Sequence, residues 1–301
     1  MRFSIWPSAD QPWEDVLAIS SHCERTGWDG VYFADHFMPN GPDETPRDGI
    51  MLECWSVLAA LAALVPRVRL APLVTSVTYR HPTLLANIAA AVDQVSGGRL
   101  TLGVGAGWQL NEHAAYGLPL GSPKERLDRF EEALRVLLPL LREPRTTMVG
   151  DYYQVRDAPN QPAPVQDRMP LLIGGAGEKR MLGIVARYAD EWNAWAMPEL
   201  LAHKLSVLRE HCGRAGRDPA EIHVSTQALV YVHTGGARPE LRGNARAEIA
   251  GTPAELAEIM ARYRDAGAQE FIVPDGTLGG SLAEKQDVCD LLINEVAAGL
   301  R

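Results

Sequence analysis

No run of apolar residues approaches the roughly 18 that a membrane-spanning helix needs, so no span is expected in this 301-residue chain. Cysteine is scarce. Cys23, Cys54, Cys212 and Cys289 lie far apart and form no CxxC pair, which excludes a disulfide scaffold and points to reduced thiols in a cytoplasmic protein. Basic residues are in deficit: 29 Lys and Arg against 38 Asp and Glu give a net charge of −9. Neither nucleic acid nor an anionic membrane surface is therefore an expected partner, since either needs a basic face. The histidines (His22, His36, His81, His113, His203, His211, His223 and His233) form no HxH and no HExxH, and His203 and His211 are too far apart to share a metal across one helical turn. No metal is expected. There is no GxSxG elbow and no recognisable Cys–His motif, which disfavours covalent hydrolysis. Met1 to Pro7 lacks the apolar core of a signal peptide and reads at once as a strand.

What the chain does have is apolar content, 46%, enough for a large buried core. Short apolar runs alternate with amphipathic helices. Strands are expected at Phe3–Trp6, Gly30–Phe33, Val68–Val74, Leu100–Val104, Pro170–Ile173, Glu191–Trp195, Ile222–Val232 and Phe271–Val273. Helices are expected between them. One opens at His81-Pro82, where proline at the first turn costs no hydrogen bond, and two others open on the capping boxes Thr252/Glu255 and Ser281/Glu284. An irregular stretch, Arg142 to Arg168, contains one expected hairpin near Met148–Tyr152 and is long enough to be a lid or an excursion. Thr234 to Ala250 reads as a second loop of low hydrophobicity, expected to be mobile. Eight strand–helix units without a composition break predict a single-domain (β/α)8 TIM barrel over residues 1–301, with an open doubly wound sheet plus a second domain as the runner-up.

A barrel places its chemistry at the C-terminal ends of the strands. Asp35-His36 follows the second strand, where an imidazole would face the mouth and handle a proton, or would satisfy loop backbone groups. Gly174-Gly175-Ala176-Gly177 follows the fifth strand and is read as running into a helix. It is either an anion site made of free N–H groups or a tight turn that needs glycine sterically. Gly103-Val104-Gly105-Ala106-Gly107-Trp108 lacks the third glycine of a dinucleotide fingerprint, which excludes a Rossmann reading. It is either a backbone lying flat against a planar ligand, with Trp108 as a wall, or a glycine-rich strand end.

These segments, in order, resemble the bacterial luciferase-like superfamily. The resemblance is carried by Ala34-Asp35-His36-Phe37, Leu73 to Pro82, Asp93 to Leu100, Gly103 to Trp108 and Leu172 to Gly177, and it extends to Gly251-Thr252-Pro253 and the last strand. Within the superfamily the chain is most similar to the F420-dependent oxidoreductases, which are (β/α)8 barrels binding the deazaflavin F420 or, alternatively, flavin mononucleotide. The resemblance implies a non-prolyl cis peptide at Leu73-Val74 backing the ring, Asp35 and Thr75 near it, and His36 as proton donor or acceptor. It also implies Gly105, Ala106, Gly107 and Trp108 along the cofactor, and Gly174, Gly175, Ala176 and Gly177 at its phosphate. The stretch before strand five matches the place where the family carries a substrate-covering segment.

Where sugar-phosphate dehydrogenases of the family have a glutamate, this chain has Trp108, which argues against sugar-phosphate oxidation. Trp6, Trp108 and Trp195 are expected to form an apolar substrate pocket or else to pack in the core. The implied activity is hydride transfer between F420 and a small apolar substrate. The alternatives are an FMNH2-dependent monooxygenase fed by a separate flavin reductase, and a flavin-binding protein without chemistry. A homodimer is the family's common arrangement and is expected here.

Overall fold

Alternating sequence becomes alternating structure. The computed structural model describes residues 1–41, 43–235, 241, 243 and 246–301. In chain order the elements are β1 (Arg2–Trp6), α1 (Trp13–Arg25), β2 (Gly30–Phe33), α2 (Cys54–Leu64), β3 (Arg69–Pro72), β4 (Thr75–Ser76), α3 (Pro82–Ser96), β5 (Leu102–Gly105), α4 (Leu110–Ala115), α5 (Pro123–Arg142), β6 (Thr146–Val149), β7 (Gln154–Ala158), β8 (Leu171–Gly174), α6 (Met181–Tyr188), β9 (Glu191–Trp195), α7 (Pro198–Ala215), β10 (His223–Gln227), β11 (Leu229–Val232), β12 (Glu248–Gly251), α8 (Pro253–Ala266), β13 (Glu270–Pro274) and α9 (Leu282–Leu291). Among the described residues no helix is long and apolar enough to cross a membrane.

The main sheet runs β3-β2-β1-β13-β10-β9-β8-β5-β4, with its strands paired in parallel. β3 and β4 are two halves of one barrel position. Leu70 bridges in parallel to Leu100, its N–H donating to Arg99 O at 3.0 Å, and this closes the ring. Eight positions with helices outside are the expected barrel. The third strand is not continuous, however: it breaks at Leu73-Val74, whose peptide bond is cis. The seventh is also divided, into β10 within the barrel and β11, which leaves to pair with β12. Glu248–Gly251 is thus strand rather than loop, while residues 236–240, 242, 244 and 245 of the expected mobile loop lie outside the described residues.

The period-two rule of a strand sorts side chains between two environments. Phe3 and Ile5, Val31 and Phe33, Leu171 and Ile173, Trp192 and Ala194, and Phe271 and Val273 belong to the shell packed against the helices. Between them on the same strands, Tyr32, Ala71, Leu172 and Ile272 form a separate inner cluster with Leu73, Trp6 and Val74. At the N-terminal end this interior turns polar. Arg69 donates to Glu191 at 2.7 and 3.0 Å and to Thr101 at 2.8 Å, and lies 3.5 Å from Glu270, which also meets Ser4 and His223. Burial pushes the Glu270 carboxyl up, but His223, Arg69 and Ser4 outweigh it and hold it down at about 2.

The helix ends match their expected caps. Both capping boxes form, and a third, Ser122/Glu125, opens α5. The excursion before β8 contains the expected hairpin. Its hairpin, β6 and β7, is held by Glu132 of α5, a buried carboxylate that accepts the N–H groups of Asp151, Tyr152 and Tyr153 at 3.0, 2.8 and 2.6 Å. Its far end is held by Asp93 of α3, which accepts from Val165 and Gln166 at 2.8 and 3.1 Å. Gln94 and Asn160 add bonds along α3. Carboxylates receiving several N–H bonds are strong anchors, so this segment is fastened to the α3/α5 flank.

Candidate active site at the barrel mouth

His36 follows β2 at the C-terminal rim. Its Nδ1 lies 2.8 Å from Oε1 of Glu112, a residue of α4 with a fully buried side chain. Glu112 also accepts the Phe37 N–H at 2.8 Å through Oε2 and the Tyr79 hydroxyl through Oε1. Burial alone would raise the Glu112 carboxyl. The bonds from His36, Tyr79 and Phe37 outweigh it and keep it below the usual carboxylate range. A carboxylate has no proton to give, so His36 donates from Nδ1 and its neutral ring carries the lone pair on Nε2. Among the described residues Nε2 has no hydrogen-bond partner. The ring is 21% exposed and meets the half-exposed Trp108 edge-on at 5.4 Å.

Asp35 faces the other way. It is 1% exposed, accepts a forked pair from Arg80 at 2.6 and 3.1 Å, and takes the Thr75 hydroxyl. Burial raises its carboxyl, and Arg80 and Thr75 oppose that only in part. Thr75 is fully buried and also receives the Trp55 indole N–H at 3.3 Å. Asp35, Thr75 and Arg80 therefore brace the rim from behind. Asp275, after β13, is a further brace, gathering Ser8, Gln11 and Lys285.

The glycines have an occupant. A Cβ on Gly105 would lie 2.8 Å from Val74 Cγ2, and one on Gly174 2.9 Å from the same atom. The Val74 side chain thus rests on the bare backbones of β5 and β8, just after the cis bond. Gly105→Ala should cost about 1–3 kcal/mol, the usual range for overpacking. Urea unfolding checks this, and Val74→Ala on the same background should recover part of the loss; additive costs would mean that the two positions do not touch.

Gly174–Gly177 does not open a helix directly. α6 begins only at Met181, after a turn at 178–180. Gly175 has φ of +135° and its N–H donates to Asn193 O at 3.0 Å. The N–H groups of Ala176 and Gly177 have no acceptor among the described residues. On the neighbouring strand end, Arg126 of α5 donates to Gly107 O at 2.9 Å, while its buried Nε has no partner among the described residues. Trp6 and Trp195 meet at 5.8 Å, with the Arg246 guanidinium 5.3 Å from the Trp195 ring. Trp108 is not part of that pair and stands with His36. Among the described residues no group of His, Cys, Asp or Glu could hold a metal.

Two residues of this site escaped the sequence reading. Glu112 was visible only as the neighbour of His113, in a helix of six residues too short to show a periodicity. Arg126 lay on the polar side of a long amphipathic helix, where a solvated cation is the ordinary expectation.

Comparison with known proteins gives the family and the fold. The chain is 31% identical over 180 residues to an uncharacterised protein of Mycobacterium tuberculosis, covering 59% of this chain and 63% of that one. It is 31% identical over 246 residues to an F420-dependent glucose-6-phosphate dehydrogenase of Microbacterium testaceum, covering 77% and 69%. The chain thus spans less than two thirds of the first relative's length. Among solved structures, an F420-dependent secondary alcohol dehydrogenase in complex with an F420-acetone adduct superposes with a TM-score of 0.84 at 20% identity, covering 98% of this chain and 99% of that one. The sequence model of the luciferase-like monooxygenases matches residues 1–238, and the chain belongs to that family.

Proposed function

We propose that the protein is an F420-dependent oxidoreductase that moves a hydride between the deazaflavin and a small, apolar organic substrate. The observation that carries the reading is the His36–Glu112 pair, held at the rim beside Trp108 with Nε2 unbonded among the described residues. Relatives named as F420-dependent enzymes support the choice of cofactor.

The residues present fit such a group. A flat ring system needs a shaped wall, and the Leu73-Val74 bulge seated on Gly105 and Gly174 supplies one. An anionic tail needs donors without partners. The Ala176 and Gly177 N–H groups after β8, and the buried Nε of Arg126, whose guanidinium bonds the Gly107 carbonyl after β5, are of that kind among the described residues. When bound, the deazaflavin supplies two-electron hydride chemistry. His36 takes or gives the accompanying proton at Nε2, while Glu112 holds the ring by Nδ1 and stabilises the charge that appears when Nε2 is protonated. Trp6, Trp195 and Trp108 offer apolar surface for orienting a substrate and excluding water. By the family resemblance Trp108 stands where sugar-phosphate dehydrogenases have a glutamate, which supports a substrate other than a sugar phosphate.

Equilibrium titration with F420 and with FMN, followed by cofactor absorbance, tests the reading. F420 is expected to bind at least about tenfold tighter, a difference of about 1.4 kcal/mol. Binding of FMN alone would overturn it in favour of an FMNH2-dependent monooxygenase served by a separate reductase.

A further inference from the structure

Tyr79 lies in the segment between β4 and α3, 33 positions from Glu112 in sequence, yet its hydroxyl donates to Glu112 Oε1. That is the oxygen that accepts from His36. Oε2 is separately occupied by the Phe37 N–H. The Tyr79 ring is fixed on both sides, 4.7 Å from Phe37 and 5.1 Å from His113. His113 is itself locked, with Nδ1 on Gln109 O at 2.6 Å and Nε2 on the Thr78 hydroxyl at 2.7 Å. The hydroxyl is thus aimed by packing at one carboxylate oxygen.

We propose that Tyr79 is a positioning residue that divides Glu112 Oε1 with His36 and thereby sets how strongly the carboxylate draws the imidazole's Nδ1 proton. The inference rests on the reading of His36 as the acid–base group. A buried carboxylate has a limited capacity to stabilise nearby positive charge. A second donor on the same oxygen takes part of it, so the imidazolium is less favoured than beside Glu112 alone.

The other charged and titratable groups near His36 are already committed. Asp35, its chain neighbour, is neutralised by Arg80, and Arg80 also pairs with Glu53. Burial lowers the basicity of His113. Trp108, from the β5–α4 turn, carries no charge. Glu112, shared with Tyr79, is therefore the charged group that His36 touches among the described residues. Tyr79 is held correspondingly in its protonated form, by burial first and by the Glu112 bond next.

The test is an NMR titration of the His36 ring in isotopically labelled protein without cofactor, with the resonance assigned by its disappearance in His36→Gln. Tyr79→Phe keeps both ring contacts and removes only the hydroxyl. It is expected to move the His36 midpoint up by about half to one pH unit, and Glu112→Gln to move it down by roughly one to two. Ring 15N shifts of the unsubstituted protein above the midpoint should report a protonated Nδ1 and a bare Nε2, a readout that needs no variant to fold. An unchanged or lowered midpoint in Tyr79→Phe, with Glu112→Gln still shifted, would leave Tyr79 as packing only and overturn the proposal. The opposite tautomer, or no shift in either variant, would overturn it as well. Because no cofactor is present, failure of F420 to bind would leave these shifts in place, which separates this inference from the functional reading beneath it.

Discussion

His36→Ala should lower turnover by ~10²–10⁴-fold, the range associated with removing a positioned acid–base group, while changing F420 affinity by less than about threefold. The split is expected because His36 is held from behind by Glu112 rather than by the donors at Ala176, Gly177 and Arg126 proposed for the anionic tail. The fall should appear in kcat and in kcat/KM alike, as it does when an interaction specific to the transition state is lost. Steady-state kinetics beside an equilibrium titration measure the two quantities independently. Unaltered turnover would remove His36 from the mechanism. A parallel loss of affinity would make it a binding residue instead.

The second large effect lies at the opposite end of the barrel. Arg69→Ala should destabilise the fold by ~3–5 kcal/mol, because it leaves buried Glu191 without its cation and buried Glu270 with only His223 and Ser4. Urea unfolding at neutral pH measures this directly, and a loss below about 1 kcal/mol would mean that the cluster relaxes or hydrates. The pH dependence has a fixed sign. The folded Glu270 carboxyl is held down at about 2, below its ordinary 4.5, so the stability it contributes is present above that ordinary value and is lost as pH falls toward about 2. In Arg69→Ala the folded value rises, and this contribution should shrink at neutral pH. The N-terminal face of a barrel carries stability and the C-terminal face chemistry, so Arg69→Ala protein that remains folded should still bind cofactor.

Much of the barrel was legible because strands and helices write their periods into local sequence. Glu191–Trp195 matches its strand residue for residue, and His81-Pro82 opens its helix as read. What escaped was non-local. The excursion's irregularity is local and legible, whereas its anchors, Glu132 and Asp93, are distant carboxylates that are not. Gly105 and Gly174 announced a need for space, but the sequence could not name Val74 as the side chain that takes it. His36 was visible at a strand end, and Glu112, 76 positions away, was not. Asp35 and Thr75, which the resemblance puts near a ring, both follow strand ends, yet a side chain's choice between the mouth and the wall behind it depends on Arg80 and Trp55, which sequence order does not bring together.

The most direct test of the account is a crystal structure of the protein soaked with F420. The expected result is the tricyclic ring against Leu73-Val74, with His36 Nε2 on its open side and the anionic tail on the Ala176 and Gly177 N–H groups. A ring bound elsewhere, or a mouth at full F420 concentration filled by the protein's own side chains, would contradict it.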